Sequence, residues 1–353
     1  MTCDGFARHL IDWQAHHGRH DLPWQGTRDP YRVWLSEIML QQTQVRTVLN
    51  YYPRFLAHFP DVSALAHASQ AEVLALWSGM GYYSRARNLH RCAQVIATQW
   101  QGHFPTRQAD LAQLPGIGPS TAAAIAAFCF HERVSILDGN VQRVLTRYLG
   151  FDQDLAIASA KRNLWAIAQT LLPTLEADMP PYTQGLMDLG ALVCTRANPH
   201  CSDCPLQAQC VAHQTQMISA YPRQTKRLKR GQQNWWLWHI TRSDGAVCLV
   251  QRPQTGIWAG LYSFPIFTSQ AALAMQMRGL ASETMPMKKH VLTHQDLFLY
   301  RVCTSISFAE NVASPLGMAC PVPDPSAQWF FPSDWAHLGL PQPVSQMLKE
   351  PQP

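Results

Sequence analysis

The chain has 353 residues, 47% of them hydrophobic, which suits two domains with real cores and excludes collagen-like, low-complexity and broadly disordered classes. The longest apolar run, residues 122–130, is far short of the roughly 20 residues that cross a bilayer; Met1-Thr2-Cys3-Asp4-Gly5 shows no basic stretch leading into an apolar one, so a soluble, cytoplasmic (intracellular) protein without signal or transit peptide is expected. The net charge of +5 is uneven: residues 1–213 hold 16 basic and 16 acidic side chains, residues 231–353 hold 7 and 7, and the excess falls on Arg223, Lys226, Arg227, Lys229 and Arg230. With Pro222 and several Gln, that stretch reads as an extended linker, either lying on phosphates or simply soluble.

Asp29-Pro30 gives the first strong helix signal, an N-cap residue followed by a proline preset for the first turn. It predicts a helix from Tyr31 through Gln42. Glu37 stands mid-helix, where capping cannot explain it. Of its neighbours one turn away, Val33, Trp34 and Leu40 are apolar and Gln41 is not, so Glu37 lies on a partly buried face or at its solvent edge. Burial would raise its pKa and hold a proton on it near neutral pH.

Further helices are expected over residues 70–77, 86–99, 120–130, 141–149 and 158–172. Between the first two lies Gly79-Met80-Gly81-Tyr82-Tyr83, a glycine-rich turn with two aromatics. Such rings can wedge into a base step, and Arg87 and Arg91, one helical turn apart, can meet phosphates; a core tyrosine pair beside a solvated basic helix has the same pattern. Leu114-Pro115-Gly116-Ile117-Gly118-Pro119-Ser120-Thr121-Ala122 reads as a tight turn, with both glycines free to take positive φ, opening a helix whose N-terminal N–H groups suit a phosphate. Ala122-Ala123-Ala124 lets helices approach closely.

Asp138 precedes the expected helix 141–149. N–H bonds and the helix dipole favour its ionised form; a plain N-cap is the structural alternative. One protonated and one ionised carboxyl is the division that breaking an N-glycosidic bond requires, because the base leaves well only when protonated and the sugar cation needs an anion nearby.

Four of the ten cysteines crowd into Cys194-x6-Cys201-x2-Cys204-x5-Cys210, which in an intracellular chain argues for a metal or cluster and not for disulfides. Zinc is the generic occupant of such a set, and the spacing differs from ferredoxin patterns. After the basic stretch the texture changes. Residues 235–241 and 247–252, separated by Ser243-Asp244-Gly245, predict a hairpin, residues 297–306 predict another strand, and residues 232–345 are expected to form a smaller α+β domain.

The hairpin string, followed by Leu137-Asp138-Gly139-Asn140-Val141, resembles the helix-hairpin-helix DNA glycosylase superfamily over most of residues 20–213. The resemblance implies a mainly α catalytic region (1–213), with a six-helix barrel over residues 29–133 and an iron–sulfur helical subdomain from residues 1–28 plus 134–213, then a basic linker over 214–231. The cysteine spacing is similar to the 4Fe–4S loop of the endonuclease III and adenine glycosylase group, which implies one cluster in a structural role, positioning Arg196 near DNA. Glu37 matches the family's general acid, which protonates N7 of adenine. Asp138 matches the aspartate that stabilises the oxocarbenium ion. Asn140 and Ser120 match lesser pocket contacts, and Leu22, Trp24 and Gln25 match residues lining the adenine site. Tyr82 matches the intercalating tyrosine, Gly116 and Gly118 the DNA-gripping hairpin, and Gln41 and Gln42, on the Glu37 helix, residues that probe the opened pair. Bifunctional relatives carry lysine where this chain has Ser120, and no lysine precedes Lys161, so a monofunctional hydrolase is expected.

Gly256-Ile257-Trp258-Ala259-Gly260-Leu261-Tyr262-Ser263-Phe264-Pro265 resembles the opening of the Nudix-like C-terminal domain of adenine glycosylases. The acidic box that hydrolyses pyrophosphates is missing, which implies recognition without catalysis. His290-Val291-Leu292-Thr293-His294 resembles the loop that reads 8-oxoguanine, with Thr293 and His294 as polar contacts and Leu292 where relatives often carry an aromatic. The resemblance is thus to MutY-type adenine DNA glycosylases. It implies a bacterial-type base excision repair enzyme, a monomer acting on double-stranded DNA with A:8-oxoguanine or, more weakly, A:G, with no membrane partner and a sliding clamp by analogy only. An endonuclease III-like or mismatch thymine glycosylase, a non-catalytic iron–sulfur DNA-binding protein and a Nudix hydrolase with a helical DNA-binding arm are the other readings.

Overall fold

The computed structural model describes residues 3–225, 230–307 and 320–350. By packing, the chain divides into residues 1–66 with 91–227 and residues 67–90 with 228–353. Helices follow one another through the first 214 residues: α1 (Cys3–His17), α2 (Pro30–Leu40), α3 (Val45–His58), α4 (Val62–His67), α5 (Gln70–Leu76), α6 (Ser84–Gln99), α7 (Gln108–Leu111), α8 (Pro119–Phe130), α9 (Gly139–Leu149), α10 (Ala158–Thr170), α11 (Met179–Asp188) and α12 (Val211–Gln214).

Local chemistry explains the helix ends that matter. Asp29 accepts the Tyr31 N–H at 2.9 Å, and Pro30 occupies the first turn of α2. The helix stops at Leu40, two residues short of the sequence expectation. Gln42 takes a left-handed φ of 54°, and the Thr43 N–H turns back to the Leu40 carbonyl. Gln41 and Gln42 therefore sit in the turn after the Glu37 helix, not on it. Residues Ala122–Ala127 of α8 are fully buried, and these small side chains let α8 lie close against α2, α7 and α11. A second core gathers Phe6 and Leu10 from α1, Val141 and Leu145 from α9, and Tyr182 and Leu186 from α11.

The stretch 211–225 is not a free spacer: α12 packs on α9, the Leu155 N–H donates to the Arg223 carbonyl at 3.0 Å, and the Thr225 N–H and hydroxyl both donate to Asp154. Lys226, Arg227 and Lys229, most of the basic cluster, lie outside the described residues, while Arg230 pairs with Asp296 at 3.8 Å. Residues 67–90 group by packing with residues 228–353. Specific bonds cause this: the Tyr83 hydroxyl donates to the Leu340 carbonyl at 2.7 Å, as does the Ser78 hydroxyl at 2.9 Å.

The C-terminal domain is built on a mixed sheet. Strands β1 (Gly231–Arg242), β2 (Val247–Gln251), β3 (Tyr262–Ser263), β4 (Ile266–Phe267), β5 (Glu283–Thr284), β6 (Lys288–Val291), β7 (Gln295–Ile306) and β8 (Ala327–Phe330) form it. Its path is β3-β2-β1-β7-β5; β4 pairs with β1, β6 with β7 and β8 with β2. β1 and β2 form the expected antiparallel hairpin, Thr241 opposite Val247, with Gly245 at φ 88° in the turn. The long parallel pair β1–β7 runs from Gly231 opposite Gln295 to Arg242 opposite Ile306. Trp238, Ile240 and Cys248 meet Leu273 of α13 (Gln270–Met277) in the core, and α14 (Gln342–Lys349) closes the domain.

Candidate active site

Glu37 is half-buried on α2, on the turn that also carries the buried Trp34 and Ile38. Burial, then the nearby Asp138 charge, push its pKa up to about 8. The carboxyl is therefore protonated at neutral pH.

Asp138 is the N-cap of α9 and accepts the Val141 N–H at 2.8 Å. Its approach is pinned from two sides. The Ser120 hydroxyl oxygen accepts the Leu137 N–H at 3.1 Å, and the Gln142 amide donates to the Leu137 carbonyl at 3.0 Å. Burial raises the Asp138 pKa, while N–H bonds from Val141 and Asn140 and the Arg143 charge pull it down. The cap alone would leave Asp138 more acidic than usual; the net direction is upward, because desolvation outweighs the cap. The upward push on Glu37 is the larger, so the two carboxyls are still separated.

Trp24 is buried against Tyr52, ring centroids 5.5 Å apart. Gln25 accepts the Leu22 N–H through its side-chain oxygen at 3.3 Å, and its amide nitrogen is a buried donor without a hydrogen-bond partner among the described residues. The Gln41 amide donates to the Thr121 hydroxyl at 3.3 Å. In the hairpin between α7 and α8, Gly116 has φ 77°, whereas Gly118 is extended at −80°, so only one of the two glycines uses positive φ. Gly118 is exposed, and no side chain caps α8.

Cys194, Cys201, Cys204 and Cys210 line one cavity together with Val144, Arg147, Tyr148 and Leu206. Burial, with the other thiols adding, pushes Cys204 up to about 12. Two arginines of α9 brace this loop. Arg147, 4% exposed, donates to the Cys194 sulfur at 3.4 Å and to the Thr195 and Arg196 carbonyls at 2.7 and 3.2 Å. Arg143 donates to the Cys194 and Gly190 carbonyls at 2.7 and 2.6 Å and to the Asn140 side-chain oxygen at 3.0 Å.

The other residues singled out from the sequence lie elsewhere. Tyr82 is 45% exposed at φ 48°, and its hydroxyl is 3.1 Å from that of Thr293, in the turn between β6 and β7. Arg87 donates to the Ala259 carbonyl at 2.8 Å, so part of its guanidinium is committed within the protein and only part is available to a phosphate. Arg91 is exposed, as is His294, whose carbonyl accepts the Gly231 N–H.

Residues 35–171 match the HhH-GPD superfamily of base excision DNA repair proteins, and residues 236–350 match the NUDIX domain. An adenine DNA glycosylase of Buchnera aphidicola (subsp. Baizongia pistaciae) is 32% identical over 99% of this chain and 97% of its own length. The chain belongs to the adenine DNA glycosylase family. The human adenine DNA glycosylase is 34% identical to this family member over 79% of the chain and 60% of its own length. Among solved structures, a thermostable thymine-DNA glycosylase superposes with a TM-score of 0.54 at 26% identity, covering 60% of this chain and 97% of its own. An endonuclease III–DNA complex superposes at 0.50 with 19% identity, over 62% of this chain and 99% of its own, which speaks to the fold alone.

Sequence reasoning missed four polar residues of this glycosylase. Arg143 and Arg147 are ordinary basic positions until the cysteine loop folds against them. Arg19 and Asp188 form an ion pair at 2.6 Å, reinforced by the Arg19 N–H at 3.0 Å, which ties the segment before Leu22 to the end of α11. Asp188 is fully buried, and no local signal reveals a partner 169 positions away.

Proposed function

We propose that this glycosylase excises adenine from A:8-oxoguanine and A:G pairs by acid-assisted hydrolysis. The observation that carries the reading is a carboxyl kept protonated to about pH 8 within electrostatic reach of a second, more readily ionised one. Glu37 delivers its proton to N7 of the flipped adenine, turning a poor leaving group into a neutral one. Its conjugate base then accepts a proton from the attacking water. Asp138, held by Ser120 and the α9 N-terminus, faces the positive charge that builds on the sugar as the bond lengthens. Leu22, Trp24 and the free amide donor of Gln25 form the wall against which the adenine rests. Ser120 offers no amine to form a Schiff base, so water ends the reaction and the strand stays intact.

Reaching the bond requires flipping the nucleotide, at a few kcal/mol. Tyr82 fills the gap, the Gly116–Gly118 hairpin and the exposed Arg91 take phosphates, and Gln41 and Gln42 line the opened pair. Thr293 and His294 read the opposite base. The C-terminal domain does this without pyrophosphate hydrolysis, since its seven acidic residues form no R-E-x-x-E-E box.

The four-cysteine cavity fits a 4Fe–4S cluster. Cys194, Cys201, Cys204 and Cys210 all line it, a donor set of four thiols whose spacing is similar to the 4Fe–4S loop named above. Bound there, the cluster would supply a rigid cross-link for the loop. Arg147 meets Cys194, one of the four residues that would hold the cluster, and Arg143 links that loop to Asn140 beside Asp138.

The test is base release from A:8-oxoguanine, A:G and T:G duplexes. Release of adenine from the first two and no thymine from the third fits the proposal. Thymine release would favour a mismatch thymine glycosylase, the activity named for the 26% identical structure.

A further inference from the structure

We infer that Arg85 is the positioning residue that backs the Tyr82 wedge, transmitting the rigidity of the buried Trp77 to an exposed ring. This rests on reading Tyr82 as the side chain that enters the base stack. The guanidinium carbon of Arg85 lies 5.4 Å from the ring centroid of Trp77 and 5.4 Å from that of Tyr82, so the cation is shared between the two rings. Trp77 is fully buried, Arg85 is 8% exposed and Tyr82 is 45% exposed, an order that runs from core to surface.

The same three residues fix the turn. Trp77 Nε1 and Arg85 Nη2 both donate to the Gly81 carbonyl, at 3.1 and 3.3 Å, and the Arg85 N–H donates to the Tyr82 carbonyl at 2.9 Å. The peptide groups on both sides of the Tyr82 α-carbon are thus tied. They need to be, because a φ of 48° is an unfavourable conformation for a tyrosine, and a wedge must resist a base stack pressing to close. Without the guanidinium the ring would lose the cation packed against it, and the Gly81 carbonyl would keep only its bond from Trp77. Burial lowers the Arg85 pKa only to about 10, so the cation persists at neutral pH.

The test follows flipping by the fluorescence of 2-aminopurine placed opposite 8-oxoguanine, with the full chain in excess, for wild type, Tyr82→Leu, Arg85→Met and the double variant. Arg85→Met should slow flipping roughly 3- to 30-fold. The double variant should be no slower than Tyr82→Leu, because Arg85 acts through that ring, whereas general damage to the fold would add to the loss. Arg85→Lys keeps the charge and should recover part of the rate; if Arg85→Met does not fold, Arg85→Lys enters the same cycle, with its thermal midpoint as control. Full additivity, or an unchanged rate in the Arg85 variant while Tyr82→Leu is slow, overturns the inference and leaves the wedge standing. An unchanged rate in Tyr82→Leu removes the wedge and the inference with it.

Discussion

The hydroxyls of Tyr82 and Thr293 lie 3.1 Å apart although 211 positions separate them in the chain. One residue belongs to a glycine-rich turn, the other to the β6–β7 turn, so the proposed wedge and the proposed reader of the opposite base are joined by a hydrogen bond. Thr293→Val keeps the side-chain shape and removes the hydroxyl. With a net hydrogen-bond value near ~1 kcal/mol, the preference for 8-oxoguanine over guanine opposite adenine should fall about 3- to 10-fold. Single-turnover rates on the two duplexes measure it, and an unchanged ratio would count against the coupling.

The carboxyl pair sets a pH dependence. Activity should fall as pH rises through about 8, where Glu37 loses its proton. It should also fall on the acid side as Asp138 takes one up, at a pKa above the usual aspartate value. The limbs belong to the interacting pair and not to either residue alone. Stability follows the sign of the shift. A carboxyl whose pKa rises from 4.5 to about 8 on folding contributes stability below 4.5 that is lost as pH climbs towards 8. Denaturation midpoints of wild type should decline across that window, and those of Glu37→Gln should decline less.

Gly190 tests the packing beneath the pocket. A Cβ there would stand 2.8 Å from the Asn140 Cβ and 3.4 Å from its backbone, with Arg143 bonded to both residues. Gly190→Ala should destabilise by about 1–3 kcal/mol and slow base release. Gly139→Ala, where nothing lies within 4 Å, is the control and should be close to neutral. Thermal melts and single-turnover rates check both.

Arg147 braces the cysteine loop through three hydrogen bonds from two nitrogens, one of them to the Cys194 sulfur. Arg147→Met should yield protein with less iron per chain and faster loss of the remainder to a chelator. Iron retention equal to wild type would show that the loop holds the proposed cluster without this brace.

Local signals were the legible ones. Asp29-Pro30 marked the start of α2 because cap and proline act within four residues, and Ser243-Asp244-Gly245 marked the β1–β2 hairpin for a similar reason. Glu37 was readable as half-buried from its i±3 and i±4 neighbours. The two-residue overrun of α2 came from a backbone turn at Gln42, where no glycine signals the left-handed conformation. The roles of Arg143, Arg147 and Asp188 were hidden, since each has a defining partner 47 or more positions away. The acidity of Asp138 was misjudged because a cap is local and visible, whereas burial comes from the whole fold.

Adenine release from an A:8-oxoguanine duplex under single-turnover conditions, comparing wild type with Glu37→Gln, tests proton delivery most directly. The amide fills the same space and has no proton to give. Release should slow by about 10²- to 10⁴-fold while duplex binding and the thermal midpoint hold. A Glu37→Gln rate equal to wild type would contradict acid-assisted departure of the base.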